Sequence, residues 1–427
     1  MIWHPYTIQK GQPDPLKIVR AKGEFLYDIN GNSYIDAVSS WWISIHGHNH
    51  PYIIERVKES LSNIDHVLLA GYTHESAEEL ARELIDLNQN TFKAVFYSDN
   101  GSCAIDIAIK IATQYFKNLG KTKKETFLHF SQSYHGDTIG AMSVAGKSTF
   151  NSAFGNLLFF SPEFTSPDCY NCPLKKNPTT CKEECLSNLE EYLKANSETT
   201  AAMIIEPIIQ GAEGMKIYKK EILVKLKQLA ETYDVLLILD EIFTGFGRTG
   251  KNFAYEQAAI KPDIITLAKG LSGGVMPLAA TLVTEKIYEA FFDEDPKKAF
   301  YHGHTMTGNP TACAAGLASI TLYKKEKRLE DVVRLEKYFT ERITDLKTKF
   351  SDKVLNPRIL GSICAFELEG ESNYLHPISK KIKAFSIERG VLIRPLGNTI
   401  YVAPPYTIKE ESLEKIFDVV QKIVETH

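Results

Sequence analysis

The sequence is poor in cysteine and tryptophan, has no dominant charge sign, and lacks an apolar run of lipid-spanning length. Seven cysteines among 427 residues exclude a disulfide scaffold, and the odd count suits a reducing cytoplasm. Lysine and arginine number 49 against 53 acidic residues, a net charge of −4, which argues against a protein that coats nucleic acid. The longest uncharged stretch, Ala299 to Tyr323, contains two histidines, an asparagine, a proline and three glycines, a mixture that a membrane helix does not use. The opening residues Met1-Ile2-Trp3-His4-Pro5-Tyr6-Thr7 have neither the basic nor the apolar region of a secretory signal. The expectation is a cytoplasmic protein whose partners include neither nucleic acid nor membrane.

What is present is core material. Hydrophobic residues make up 44% and charged residues 24%, the composition of a globular chain. At ~150 residues per domain, the length suggests about three units, or one large α/β body with a smaller companion. Ala94 to Ser98 reads as a strand, and Ser102 to Phe116 as a helix with Ala104, Ile105, Ala108, Ile111, Ala112 and Tyr115 on one stripe. Thr126–Phe130, Ala202–Glu206, Val235–Asp240, Asp263–Leu267 and Leu278–Val283 are further strand candidates. Several are continuously apolar, as in strands covered on both faces. Their alternation with helices implies an α/β fold with a mostly parallel sheet. After about residue 325 the chain turns to charged amphipathic helices, Leu329–Phe350 and Glu410–Thr426, with short strands at Ser362–Glu367 and Thr399–Val402. The expected organisation is an N-terminal segment (1–60) contributing to a small domain and to the site wall, a large domain (61–325), and a small α+β domain (326–427).

Four constellations carry chemistry. Leu236-Leu237-Ile238-Leu239-Asp240-Glu241 is an apolar strand ending in acids, and ligands of open α/β sheets bind beyond the strands' carboxyl ends. Alone, Asp240 reads equally as a solvated loop carboxylate. Ile264-Ile265-Thr266-Leu267-Ala268-Lys269-Gly270 ends a buried strand in a lysine. Desolvated, such an amine has a lowered pKa and can condense with a carbonyl; otherwise it is an exposed structural lysine. Ser98-Asp99-Asn100-Gly101-Ser102 joins a strand to a helix and suits a phosphate cradle, or else Ser102 is an ordinary N-cap. Ser133-Tyr134-His135-Gly136-Asp137 follows a strand, where Tyr134 either stacks on a planar heterocycle or simply packs.

A phosphate cradle, an aromatic plate, an acid and a strand-end lysine are together the parts that hold pyridoxal phosphate. Their order resembles the class III (ornithine-type) aminotransferases, within the fold-type I pyridoxal-phosphate enzymes. Asp240-Glu241-Ile242-Phe243-Thr244-Gly245-Phe246-Gly247-Arg248-Thr249-Gly250 followed by Lys269 is similar to that family's signature, and Ile205-Glu206-Pro207-Ile208-Ile209-Gln210-Gly211 to another of its blocks. The resemblance implies a large domain with a mostly parallel mixed sheet flanked by helices, plus the smaller α+β domain. It implies Lys269, Asp240 and Tyr134 as catalytic residues, and Gly101, Ser102, Tyr134, Asp240, Lys269, His304 and Thr305 as cofactor-binding residues. Thr305-Met306-Thr307-Gly308-Asn309-Pro310 resembles the segment that reaches the cofactor phosphate of a neighbouring subunit, implying a homodimer with shared active sites.

Three further features narrow the resemblance: Trp3-His4-Pro5-Tyr6-Thr7, Ser39-Ser40-Trp41-Trp42 before Ile45-His46-Gly47-His48-Asn49-His50-Pro51, and Ile393-Arg394-Pro395-Leu396-Gly397-Asn398. All three resemble the branch of the family that aminates 8-amino-7-oxononanoate in biotin biosynthesis. That acceptor is a nine-carbon chain with a ketone beside an amine at one end and a carboxylate at the other. An aromatic tunnel stabilises its methylenes by ~0.8 kcal/mol each, and one arginine can hold the carboxylate bidentately. The resemblance implies Tyr6, Trp41, Trp42, Tyr134, Asp137, Lys269, Gly303 and Arg394 as substrate-binding residues, with Arg248 a further candidate to meet the amino donor. Taken alone, the tryptophans read as core packing and Arg394 as a surface ion pair. The donor stays open between S-adenosylmethionine and lysine, and another class III ω-amino-acid or diamine transaminase is the alternative reading. Cys169, Cys172, Cys181 and Cys185 have spacing that a zinc or iron–sulfur site could use. We read them instead as unliganded thiols of a surface insert at about 165–186, with no metal in the site.

Overall fold

A computed structural model describes residues 2–10, 14–370 and 374–426. At its centre is a seven-stranded sheet in the spatial order Ala94–Ser98, Ala279–Val283, Ile264–Leu267, Leu236–Asp240, Thr200–Ile205, Thr126–Phe130 and Glu163–Phe164. Only Ala279–Val283 runs against its neighbours. Every residue of Thr200–Ile205, Leu236–Asp240, Ile264–Leu267 and Ala279–Val283 is buried, which explains why those runs are apolar without alternation.

Alternate residues of the central strands feed two cores. Ala202, Ile204, Leu236, Ile238 and Ile264 pack with Ile105, Ala108, Ile111, Ala112 and Phe116 of the Gly101–Asn118 helix. Met203, Ile205, Leu237, Leu239, Ile265 and Leu267 face the opposite layer, where Leu226 and Leu229 of the Glu221–Thr232 helix lie. The sheet is therefore a middle layer, and its parallel strands all end on one edge. Ser98, Phe130, Ile205, Asp240 and Leu267 close their strands there, so whatever follows each of them converges on one crevice.

The N- and C-terminal parts share a second sheet: Ser33–Asp36 pairs parallel with Val391–Leu392. A three-stranded sheet holds Leu355–Leu360, Ile363–Glu367 and Thr399–Val402. The strands Ile18–Lys22, Phe25–Asp28 and Ser33–Asp36 are absent from the expectations above, because the first of them is largely exposed and has no two-residue apolar period to read.

Gly136 shows how tightly the site edge is built. Its φ is +117°, and a Cβ there would lie 2.3 Å from Ser102 Cβ. Gly136→Ala is therefore expected to push the Tyr134 loop off the Gly101–Asn118 helix, costing about 1–3 kcal/mol. Thermal unfolding and pyridoxal-phosphate retention on gel filtration measure that loss; an unchanged melting point would show that the loop adapts.

Candidate active site

The crevice holds a cavity of about 660 Å³, within the range of small-molecule sites. Asp240 is 4% exposed; its Oδ2 lies 2.7 Å from His135 Nδ1 and its Oδ1 accepts the Ile242 N–H at 3.0 Å. His135 Nε2 is buried with no hydrogen-bond partner among the described residues. The solvated-loop alternative for Asp240 is thus overturned: the strand carries it inward.

Lys269 follows the neighbouring strand with a left-handed φ of +42°, a conformation a non-glycine residue keeps only where its surroundings enforce it. Its amine lies 5.0 Å from the centre of the Trp42 ring and 5.8 Å from that of Phe243. Desolvation holds its pKa below the ordinary lysine range; Asp240 and Glu206 oppose that shift and the Arg248 cation adds to it. Once deprotonated, an amine beside these rings is a nucleophile and a base.

The expected phosphate cradle differs in detail. Asn100, not Ser102, caps the helix, accepting the Cys103 N–H at 2.9 Å. Ser102 sits one position inside the helix, and its hydroxyl donates to Asn100 Oδ1 at 2.8 Å. Gly101 has no room for a side chain, since a Cβ would meet Ile242 Cδ1 at 2.9 Å. Gly101 and Ser102 both line the cavity, so the first N–H groups of an 18-residue helix open into it.

Opposite lies an aromatic wall. Tyr6 and Tyr134 both hydrogen-bond Asp137 Oδ2, Tyr134 at 3.0 Å. Burial first, then Asp137, pushes the Tyr6 hydroxyl up to about 12, and burial raises Tyr134 further; both phenols therefore stay donors. Tyr6 meets Trp41 edge-on at 5.1 Å, and Phe150 bridges Tyr134 to Tyr374. The Arg394 guanidinium stacks 3.8 Å from the centre of the Trp41 ring and donates to Tyr374 Oη at 2.9 Å. No carboxylate of the described residues lies within ion-pair distance of it.

Glu206 closes a predicted strand and belongs to a family block, but the sequence alone does not mark it as a site residue. It lines the cavity and accepts the Tyr134 N–H at 3.0 Å and the Gly211 N–H at 2.7 Å, so it fixes the aromatic plate through its backbone. Its position after a buried strand, like that of Asp240, was the available signal. Burial raises its pKa to about 7. An acid whose folded pKa is raised binds its proton more tightly when folded, so this contribution is complete below about 4.5 and is lost as pH climbs through about 7. Cofactor-free protein is expected to lose stability over that window, with Glu241 shifted likewise to about 7. Glu206→Gln should flatten part of the slope in urea unfolding between pH 5 and pH 8; a slope unchanged by the substitution would contradict this.

Three expected residues lie outside this chain's cavity lining. Gly303 and Thr305 are exposed in the single chain, and His304 is half-buried with Nε2 3.8 Å from Asp99 Oδ1. Arg248, the further candidate to meet the amino donor, is likewise not part of this chain's cavity lining. It is 1% exposed and spends its guanidinium on Ser362 Oγ and the Pro404 and Trp42 carbonyls. The four insert cysteines are free, half-buried thiols. Burial and the other three push Cys185 up to about 12, and no group of three or more His, Cys, Asp or Glu among the described residues is arranged to hold a metal. No helix among the described residues is long and apolar enough to cross a membrane.

A family profile described as Aminotransferase class-III matches residues 7–424. An adenosylmethionine-8-amino-7-oxononanoate aminotransferase of Synechococcus elongatus is 40% identical, over 99% of this chain and 98% of its own. The solved structure of the enzyme of that name from Methanocaldococcus jannaschii superposes with TM-score 0.92 at 35% identity, covering 100% of this chain and 97% of its own. An amine transaminase from an uncultivated Pseudomonas species, in a PLP-bound form, superposes with TM-score 0.94 at 28% identity over 100% of this chain and 98% of its own.

Proposed function

The chain belongs to the class-III aminotransferase family, and we propose that it transfers an amino group to 8-amino-7-oxononanoate, giving 7,8-diaminononanoate for biotin synthesis, with S-adenosylmethionine as donor. The observation that carries the acceptor is Arg394. A half-buried guanidinium with no carboxylate partner among the described residues, stacked on Trp41 in an aromatic cavity, suits a substrate that ends a long aliphatic chain in a carboxylate.

The residues present fit pyridoxal phosphate, the family's cofactor. Gly101, Ser102 and the free helix N–H groups suit a phosphate, and the buried Asp240 suits a pyridine nitrogen. When bound, the cofactor supplies an aldehyde and an electron-withdrawing ring. Lys269 would supply the amine that meets the aldehyde and, once free, carry the proton between the substrate carbon and the cofactor carbon as general base. Asp240, oriented by His135, would hold the proton at the ring nitrogen. Tyr134 would cover the ring, and Asp137 with Tyr6 would meet the substrate's retained amine. Trp41 and Trp42 would exclude water along the methylenes. His304 and Thr305 are assigned to the phosphate of a partner subunit, and Gly303 to the partner's substrate pocket, in a homodimer with shared sites.

Mixing the pyridoxal-phosphate-loaded protein with each donor alone tests the reading. Loss of the visible absorption band is expected with S-adenosylmethionine, and its return on adding 8-amino-7-oxononanoate. Return with 4-aminobutyrate-derived semialdehyde but not with the nine-carbon ketone would point to another ω-amino-acid transaminase; loss with lysine alone would replace the donor.

A further inference from the structure

We infer that Ser319 is a positioning residue that, oriented by His46, holds the turn carrying Lys269 and so aims the lysine amine into the cavity. Lys269–Ser272 forms a single turn after the Ile264–Leu267 strand, and it opens on the left-handed lysine at φ +42°. A lysine does not favour that conformation by itself, so partners from elsewhere in the chain have to hold it. Ser319 supplies one. It is 1% exposed in the Pro310–Lys325 helix, and its hydroxyl donates to the Gly270 carbonyl at 3.1 Å. The same carbonyl accepts the Gly273 N–H at 3.0 Å, so Ser319 secures the bond that closes the turn. A hydroxyl inside a helix commonly donates to its own helix four residues back, as Thr321 does to the Leu317 carbonyl at 2.8 Å. Ser319 reaches out of the helix instead. It does not line the cavity, whereas Lys269 and Ser272 do.

The two ends of the hydrogen-bond chain fix its direction. Arg328 Nε only donates, and does so to His46 Nδ1 at 3.3 Å, while the Gly270 carbonyl only accepts. Ser319 spends its one proton on that carbonyl, so His46 Nε2, 3.1 Å away, carries a proton and donates to Ser319 Oγ. His46 is 3% exposed, and burial, then the Arg328 cation and His50, lower its pKa to about 3. The ring therefore stays neutral and keeps this one tautomer. Arg328 is fixed in turn by Glu326 and by Asp331 Oδ2 at 2.7 Å. Gly273 completes the seat: its φ is +60°, and a Cβ there would lie 3.2 Å from His46 Cδ2 and 3.1 Å from Ile53 Cδ1. Rotating the Ser319 hydroxyl away from Gly270 would leave a buried group of the chain unpaired, so the relay has one stable arrangement.

The rate arm of the test rests on the role of Lys269 proposed above; the hydrogen-exchange arm does not. In the pyridoxal-phosphate-loaded full chain, Ser319→Ala is expected to speed amide exchange of the 268–276 segment about tenfold or more, with the distant strands unchanged. The maximal rates of the donor and acceptor half-reactions should both fall about tenfold, because one amine serves both, while each KM stays within about threefold. His46→Leu should reproduce these changes, and His46→Gln, whose amide can donate to Ser319, should recover most of the loss. A folded Ser319→Ala protein with unchanged exchange and rates overturns the inference, and so does exchange that rises evenly through the whole chain. Local exchange without a fall in rate, in a protein that Lys269→Ala inactivates, overturns the aiming of the amine. Should Ser319→Ala fail to fold, Ser319→Cys, whose thiol is the weaker donor, decides on the same outcomes. Faster local exchange in a protein whose Lys269→Ala variant keeps its turnover would sink the functional reading and leave the hold on the turn standing.

Discussion

Replacing Lys269 with alanine is expected to abolish the visible absorption band of the pyridoxal-phosphate-loaded protein and to lower turnover by ~10⁴-fold or more. Two independent losses combine. The amine that meets the cofactor's aldehyde disappears, and so does the base that shuttles the proton. Among the described residues no other amine is in position to substitute, since the remaining cavity lining offers carboxylates, hydroxyls, phenols, the His135 imidazole and the Arg394 guanidinium. Exogenous small amines should restore part of the activity in proportion to their basicity. A variant that keeps both its band and its turnover would place the chemistry on another residue.

Arg394→Ala is expected to raise KM for 8-amino-7-oxononanoate about 100-fold, equivalent to ~2.8 kcal/mol, within the range for truncating one partner of a desolvated charge pair. Arg394 is held flat by Trp41 and aimed by Tyr374, so its fork is fixed before the carboxylate arrives and little ordering cost remains. Because the contact is remote from the reacting carbon, the donor half-reaction should change little. Arg394→Lys should recover only part of the loss, since an ammonium neither stacks on the indole in the same way nor bonds both carboxylate oxygens. Equal loss in both half-reactions would mean that the residue supports the fold rather than the acceptor.

Much of the fold was legible. The strands Ala94–Ser98, Thr126–Phe130 and Thr399–Val402 and the helix Glu410–Thr426 fall where the apolar runs put them, and the central sheet is mixed and mostly parallel. Those elements are buried on both faces or strongly amphipathic, so burial writes itself directly into residue order. Ser102 misled as a cap because Asn100, two residues earlier, competes for the same helix N–H groups and has the longer reach. A guanidinium inside a glycine-rich loop is suited both to a substrate and to free backbone carbonyls, and sequence alone does not show that Arg248 bonds the Pro404 and Trp42 carbonyls.

Local sequence determined which chemistry was available: an acid and a lysine closing buried strands, a helix opening on Gly101 and Ser102, and a paired tryptophan. Tertiary structure alone decided which of these meet. Tyr6, Trp41, Tyr134, Glu206, Asp240, Lys269 and Arg394 line one cavity, although nearly the whole chain separates the first from the last. Strand direction and crossover set that meeting, and the left-handed path at Ser39–Trp42 carries hydrogen bonds to the distant Ala403 and to Asp36. Propensity acts over a few residues, whereas these positions depend on partners brought close only when the sheet and its two cores have formed.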